Sequence, residues 1–134
     1  PANFPSINTK SKKQMKDVEL VTQLLLFLEE GVKSYRQEDL DQAFSDRELN
    51  WDDQDKIENE FKEVIKLIKQ LIDKSPQDID LCQTRLKNQT DFYSLFAAIS
   101  ELNRENSLNI SSEASKKLNQ FLKLVLISVY MYIV

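Results

Sequence analysis

The residues with chemical potential in this chain are few, and they are scattered. There is no histidine among the 134 residues. Ser-His-Asp and Cys-His nucleophilic catalysis, imidazole base chemistry and histidine metal ligation are thereby excluded. The single cysteine, Cys82, stands near Arg85 and Lys87. Two cations at that distance would lower a thiol pKa, but no base or orienting partner accompanies them. The densest carboxylate group is Asp46, Glu48, Asp52, Asp53 and Asp55. An EF-hand loop requires a central glycine and a glutamate at its twelfth position, and this stretch has no glycine. No metal and no cofactor is therefore expected. The one concentration of positive charge is Lys10, Lys12, Lys13 and Lys16. It is read either as a basic arm touching nucleic acid or as a solvated lead-in to a helix. A net charge of −4 argues against a dedicated phosphate-binding surface.

The elements that must position these residues read as helices throughout. Gly31 is the only glycine, and Pro76 is the only proline beyond the N-terminal pair Pro1 and Pro5. Tight hairpins lack their usual turn residues, so the expected fold class is all-α. Residues 1–13 are expected to form an extended polar arm, with Phe4 and Ile7 as isolated apolar points, and residues 14–134 a single helical domain. A first helix over about 14–35 would bury Val18, Val21, Leu25, Leu28, Val32 and Tyr35, with Leu20, Leu24 and Phe27 widening that face. A short helix is expected around Leu40, Ala43 and Phe44. A second long helix over 51–73 carries Ile57, Phe61, Val64, Ile65, Ile68, Leu71 and Ile72 on one stripe and stops at Ser75-Pro76. Ile79, Leu81 and Leu86 are expected core contacts. Thr90 would cap a third long helix buried through Phe92, Leu95, Phe96, Ile99 and Leu102. Ser111 or Ser112 would cap a fourth, running to the chain end. The expectation is four long helices and one short one in a bundle.

From Phe121 to Val134 every residue is apolar except Lys123 and Ser128. Such a run is shorter than the roughly 20 residues that span a bilayer, so no membrane segment is expected. The helix is either the bundle's central member or buries one side against a second copy, a continuation of the same polypeptide or a protein partner. Val125, Val129 and Tyr132 are its partner-facing candidates. The lone cysteine suits a reducing, cytoplasmic setting, and the absence of an initiating methionine suggests a fragment.

Two stretches bear a family resemblance. Gln14-Met15-Lys16-Asp17-Val18-Glu19-Leu20 is similar to the R-M-x-D-x-E-L segment of the bacterial GmrSD-type restriction endonuclease family. Arg85-Leu86-Lys87 through Thr90-Asp91-Phe92-Tyr93-Ser94-Leu95-Phe96 resembles a later helical region of the same family. In that family a ParB/sulfiredoxin-like half with a D-G-Q-Q-R motif handles nucleotide, a helical part follows, and an HNH-type region cuts DNA. This chain has no D-G-Q-Q-R and no histidine. The resemblance therefore implies a non-catalytic helical accessory domain of a larger nucleotide-dependent, DNA-directed defence protein. Lys16, Asp17 and Glu19 would support a nucleotide contact from behind, while Gln14 replaces the motif's arginine. The residues themselves are equally well read as helix-start residues. The rival function is a free-standing interaction module that uses its apolar C-terminal helix.

Overall fold

The computed structural model describes residues 4–6, 16–31, 33, 35–78 and 80–133, with only the backbone described for residue 16 and residues 124–133. Lys10, Lys12, Lys13 and most of the expected arm lie outside the described residues, as do the side chains of Lys16, Val125, Val129 and Tyr132. The described residues form an all-α bundle of five helices without a strand: α1 (Lys16–Glu30), α2 (Gln37–Glu48), α3 (Gln54–Asp73), α4 (Gln89–Arg104) and α5 (Ser112–Ile133). Two single-turn 3₁₀ helices, Leu81–Gln83 and Arg85–Lys87, connect α3 to α4.

Helix α1 is shorter than its hydrophobic pattern suggests. Gly31 adopts φ +88 and its N–H donates to the Phe27 carbonyl at 2.8 Å, which stops the helix. Tyr35 therefore stands beyond it, and its hydroxyl instead donates to Glu30. The buried face also differs from the expected stripe. Leu20, Leu24, Phe27 and Leu28 enter the core, whereas Val18 and Val21 remain 38% and 42% exposed. The helix is apolar on more than one side, so neighbours α3 and α4 select the face. They take the leucine and phenylalanine stripe, which removes more apolar area from water than the valines would.

Helix α3 buries Ile57, Val64, Ile68 and Leu71, with Phe61, Ile65 and Ile72 packed beside them, as the 3.6-residue period dictates. It begins at Gln54 rather than at Trp51, which sits in the preceding turn. Helix α4 begins one position before Thr90, with Asn88 at the cap, and buries Phe92, Leu95, Phe96 and Ile99. Leu102, in its last turn, is 39% exposed rather than buried. Phe96 is the centre of an aromatic cluster, 5.8 Å from Phe61 and 6.4 Å from Phe27 between ring centroids. These contacts lock α1, α3 and α4 together.

The connections contribute to the same core. The Asp80 carboxylate accepts from the Cys82 N–H, and the Thr84 hydroxyl donates to the Leu81 carbonyl. These bonds turn Leu81 and Leu86 inward, both buried as expected; Ile79 lies outside the described residues. Phe4 is no isolated point. Its ring packs edge-on against Phe92 at 5.7 Å, and the Ser6 N–H donates to the Lys87 carbonyl. The Ser111 hydroxyl accepts from the Ala114 N–H and caps α5.

Helix α5 leans chiefly on α3. Ser115 and Leu122 are buried, and the Ser115 hydroxyl donates to the Leu71 carbonyl. That carbonyl belongs to the last turn of α3, where intrahelical donors run out. None of the helices with described residues is long and apolar enough to cross a membrane.

Candidate docking groove between α1 and α2

The last turn of α1 is electrostatically inverted. Glu29 and Glu30 sit where the helix dipole is negative, and that turn contains no basic residue. Lys33, just beyond the helix, pairs with Glu30 at 3.5 Å, and further compensating cations come from other helices. Arg47, in the last turn of α2, donates from Nη2 to Glu29 at 2.6 Å and to Glu30 at 3.3 Å. It also donates from Nη1 to the Ala43 carbonyl of its own helix. Arg104, at the end of α4, donates from Nη2 to the Leu28 carbonyl at 2.7 Å and to Glu60 of α3 at 3.0 Å. Trp51 completes the arrangement, its indole N–H donating to Glu29 at 2.6 Å. One carboxylate thus accepts from both Arg47 and Trp51 and fixes α2 and the following turn against α1.

The titration behaviour follows from these partners. The Tyr35 hydroxyl holds the Glu30 carboxyl below its ordinary value; Lys33 and Arg47 add to the effect while burial opposes it. Arg47 is held more firmly protonated by its hydrogen bond to Glu29. Tyr35 is pushed upward by burial and by the hydrogen bond to Glu30.

Polar stapling of this kind leaves α2 thinly packed. Leu40 is its one buried residue, and Phe44 is 51% exposed. Between α2 and α1 opens a groove of about 450 Å³ lined by Thr22, Leu25, Leu26, Ala43, Phe44, Ser45, Arg47, Glu48 and Trp51. Its apolar lining continues over Val18 and Val21 on the outer side of α1. The Thr22 hydroxyl, which would otherwise make the floor polar, donates to the Val18 carbonyl. Of the α2 carboxylates Glu38, Asp39, Asp41, Asp46 and Glu48, only Glu48 lines the groove, beside Arg47, whose charge is engaged with Glu29 and Glu30; Glu38 and Asp39 face Arg36 just before the helix.

Of the residues singled out by sequence, Glu48 lines this groove and Asp17 its outer continuation, but they do not gather into one cluster. Asp17 and Glu19 lie in the first turn of α1, and Asp17 accepts from the Val18 N–H at 2.9 Å, a helix-start role. Asp46 accepts from Gln42 one turn earlier on α2. Among the described residues no three of His, Cys, Asp or Glu gather as a cation site would require. The expected lowering of the Cys82 pKa is reversed. The thiol is buried, and burial with the nearby Asp80 charge raises it. Arg85, the cation expected to act on Cys82, instead pairs with Asp91 at 3.3 Å.

Arg47, Glu29, Trp51 and Phe44 were missed as a group by sequence reasoning. One signal was present: adjacent glutamates at a helix C-terminus require cations from elsewhere. The sequence does not say which cations. Comparison with protein-family models, with curated proteins and with solved structures yields no match to this chain.

Proposed function

We propose that this chain is a non-catalytic helical domain that works by docking an apolar helix in the groove between α1 and α2. The observation that carries this reading is the apolar lining of exposed Val18, Val21 and Phe44 around half-buried Leu25, held open by the Arg47–Glu29–Trp51 staple rather than filled by side chains of the bundle. Contiguous apolar surface of this kind is the usual mark of a protein-binding site, and an apolar groove between two helices matches the helix-in-groove mode of recognition. Docking suits a domain acting within a larger assembly, including the accessory role in a nucleotide-dependent, DNA-directed protein that the resemblance to GmrSD-type proteins implies. Under either setting the purified chain neither hydrolyses nucleotide nor cuts DNA.

Trp51 is the only tryptophan and lines the groove, so its fluorescence reports occupancy directly. A synthetic leucine/lysine amphipathic helix should shift Trp51 emission saturably, and Phe44→Ser should abolish the shift while circular dichroism stays unchanged. Absence of any shift, or an equal shift in the Phe44→Ser variant, would contradict the docking reading. Turnover of nucleotide or DNA by the purified chain would contradict its non-catalytic character.

A further inference from the structure

We propose that the slot between α3 and α4 is a docking site for a non-helical peptide segment of a partner protein, and that this chain's own residues 4–6 occlude it. The slot shares no lining residue with the α1–α2 groove, so the inference stands apart from the docking role given to that groove. The occluding segment shows what the slot accepts. The Phe4 ring packs edge-on against Phe92 at 5.7 Å between centroids, beside Ile65, Ile68 and Ile72. Two positions later the Ser6 N–H donates to the Lys87 carbonyl at 2.8 Å. Peptide recognition commonly divides in this way, main-chain bonds supplying affinity and a side-chain pocket supplying specificity.

The fit of that segment is incomplete. Phe4 is half-buried and Ser6 is exposed, whereas Phe92 beneath them is buried. An open space of about 290 Å³ remains beside the Phe4 ring, walled by Ile65, Ile68, Ile72 and Phe92. A second copy's identical segment would leave the same space empty, so exchange between copies gains nothing. A segment with a larger aromatic side chain would fill it and remove more apolar area from water. Lys69 and Asp73, both exposed, line the same space and offer one charge of each sign to polar groups flanking the anchor. The occupant is therefore a segment with a bulky aromatic anchor and a main-chain N–H donor two residues on.

Peptide titrations of the full chain, followed by amide nuclear magnetic resonance, test this. The probes are the capped peptide Ala-Asn-Phe-Pro-Ser-Ile, the sequence of positions 2–7, and a copy with Trp in place of its Phe. Phe4→Ala vacates the slot, and circular dichroism verifies the fold; Phe4→Leu replaces it if the fold is lost. Both peptides should bind the variant saturably and shift the Ile68 and Phe92 amides, the Trp peptide about threefold more tightly for its larger apolar area. The wild type should bind the Trp peptide roughly fivefold more weakly than the variant, because the tethered segment competes at high effective concentration. No saturable binding to the variant would overturn the site. Equal binding to both chains would overturn the occlusion, and a Trp peptide no tighter than the Phe peptide would overturn the larger anchor. Self-association of the wild type that Phe4→Ala abolishes would assign the slot to a second copy and overturn the partner segment.

Discussion

Helices α1, α3 and α4 are held by what they bury, and α2 is held by what it charges. In the inner three, Leu, Ile, Val and Phe side chains interdigitate around Phe96. In α2 one leucine is buried, and the remainder of its attachment runs through Arg47 and the adjoining Trp51 to Glu29 and Glu30. Apolar burial is insensitive to pH and strengthened by salt, whereas ion pairs weaken as a carboxylate protonates or as salt screens it. The bundle is therefore expected to combine a core that unfolds as one unit with an outer helix of lower local stability. Surfaces used for binding are commonly drawn from that less stable end.

The contrast is broken most severely at the centre. Phe96→Ala should cost about 3–5 kcal/mol, the usual range for emptying a fully buried aromatic site, and chemical denaturation should show the whole domain losing stability together. Arg47→Ala should cost less, about 1–2 kcal/mol for charge-assisted hydrogen bonds on a partly exposed pair. Its signature is locality: amide exchange should accelerate over 37–51 while α3 and α4 keep their protection. Equal acceleration everywhere would show that α2 is part of the cooperative core.

Gly31→Ala separates backbone strain from packing. A methyl group there would meet nothing within 4 Å, so the cost should be only that of a positive φ, about 1 kcal/mol in thermal or denaturant unfolding. A much larger loss would mean that the end of α1 depends on contacts beyond its turn geometry.

The smallest expected effect is on pH. The folded Glu30 carboxyl titrates below its ordinary value of 4.5, so its stabilising contribution is complete above that value and disappears as the pH falls through the folded pKa. Glu30 shares the Arg47 Nη2 with Glu29, the partner of Trp51, so loosening at Arg47 should change Trp51 emission in acid before far-ultraviolet circular dichroism changes. Simultaneous loss of both signals would argue against a separately loosened α2.

The legibility of the sequence follows the same division. The stripe of α3 from Ile57 to Ile72 and the Phe92-to-Ile99 face of α4 are readable because each helix has one strongly apolar side, so local spacing determines burial. Helix α1 has apolar residues on several sides. Periodicity alone cannot say that Leu24 and Phe27 face inward while Val18 and Val21 do not. The staples are less legible still. Arg47–Glu29, Arg104–Leu28 and Ser115–Leu71 join residues 18, 76 and 44 positions apart, and a single sequence carries no record of such pairings. Phe4 shows the same limit, since nothing local distinguishes an aromatic residue on a polar arm from one folded back onto Phe92.

The most direct test of the docking account is an amide nuclear magnetic resonance titration of the full chain with the leucine/lysine helix. The account predicts saturable perturbations clustered at Val18, Val21, Leu25, Phe44 and the Trp51 indole N–H, with the α3 and α4 core unmoved. Perturbations centred on any other face, or none at saturating peptide, would contradict it.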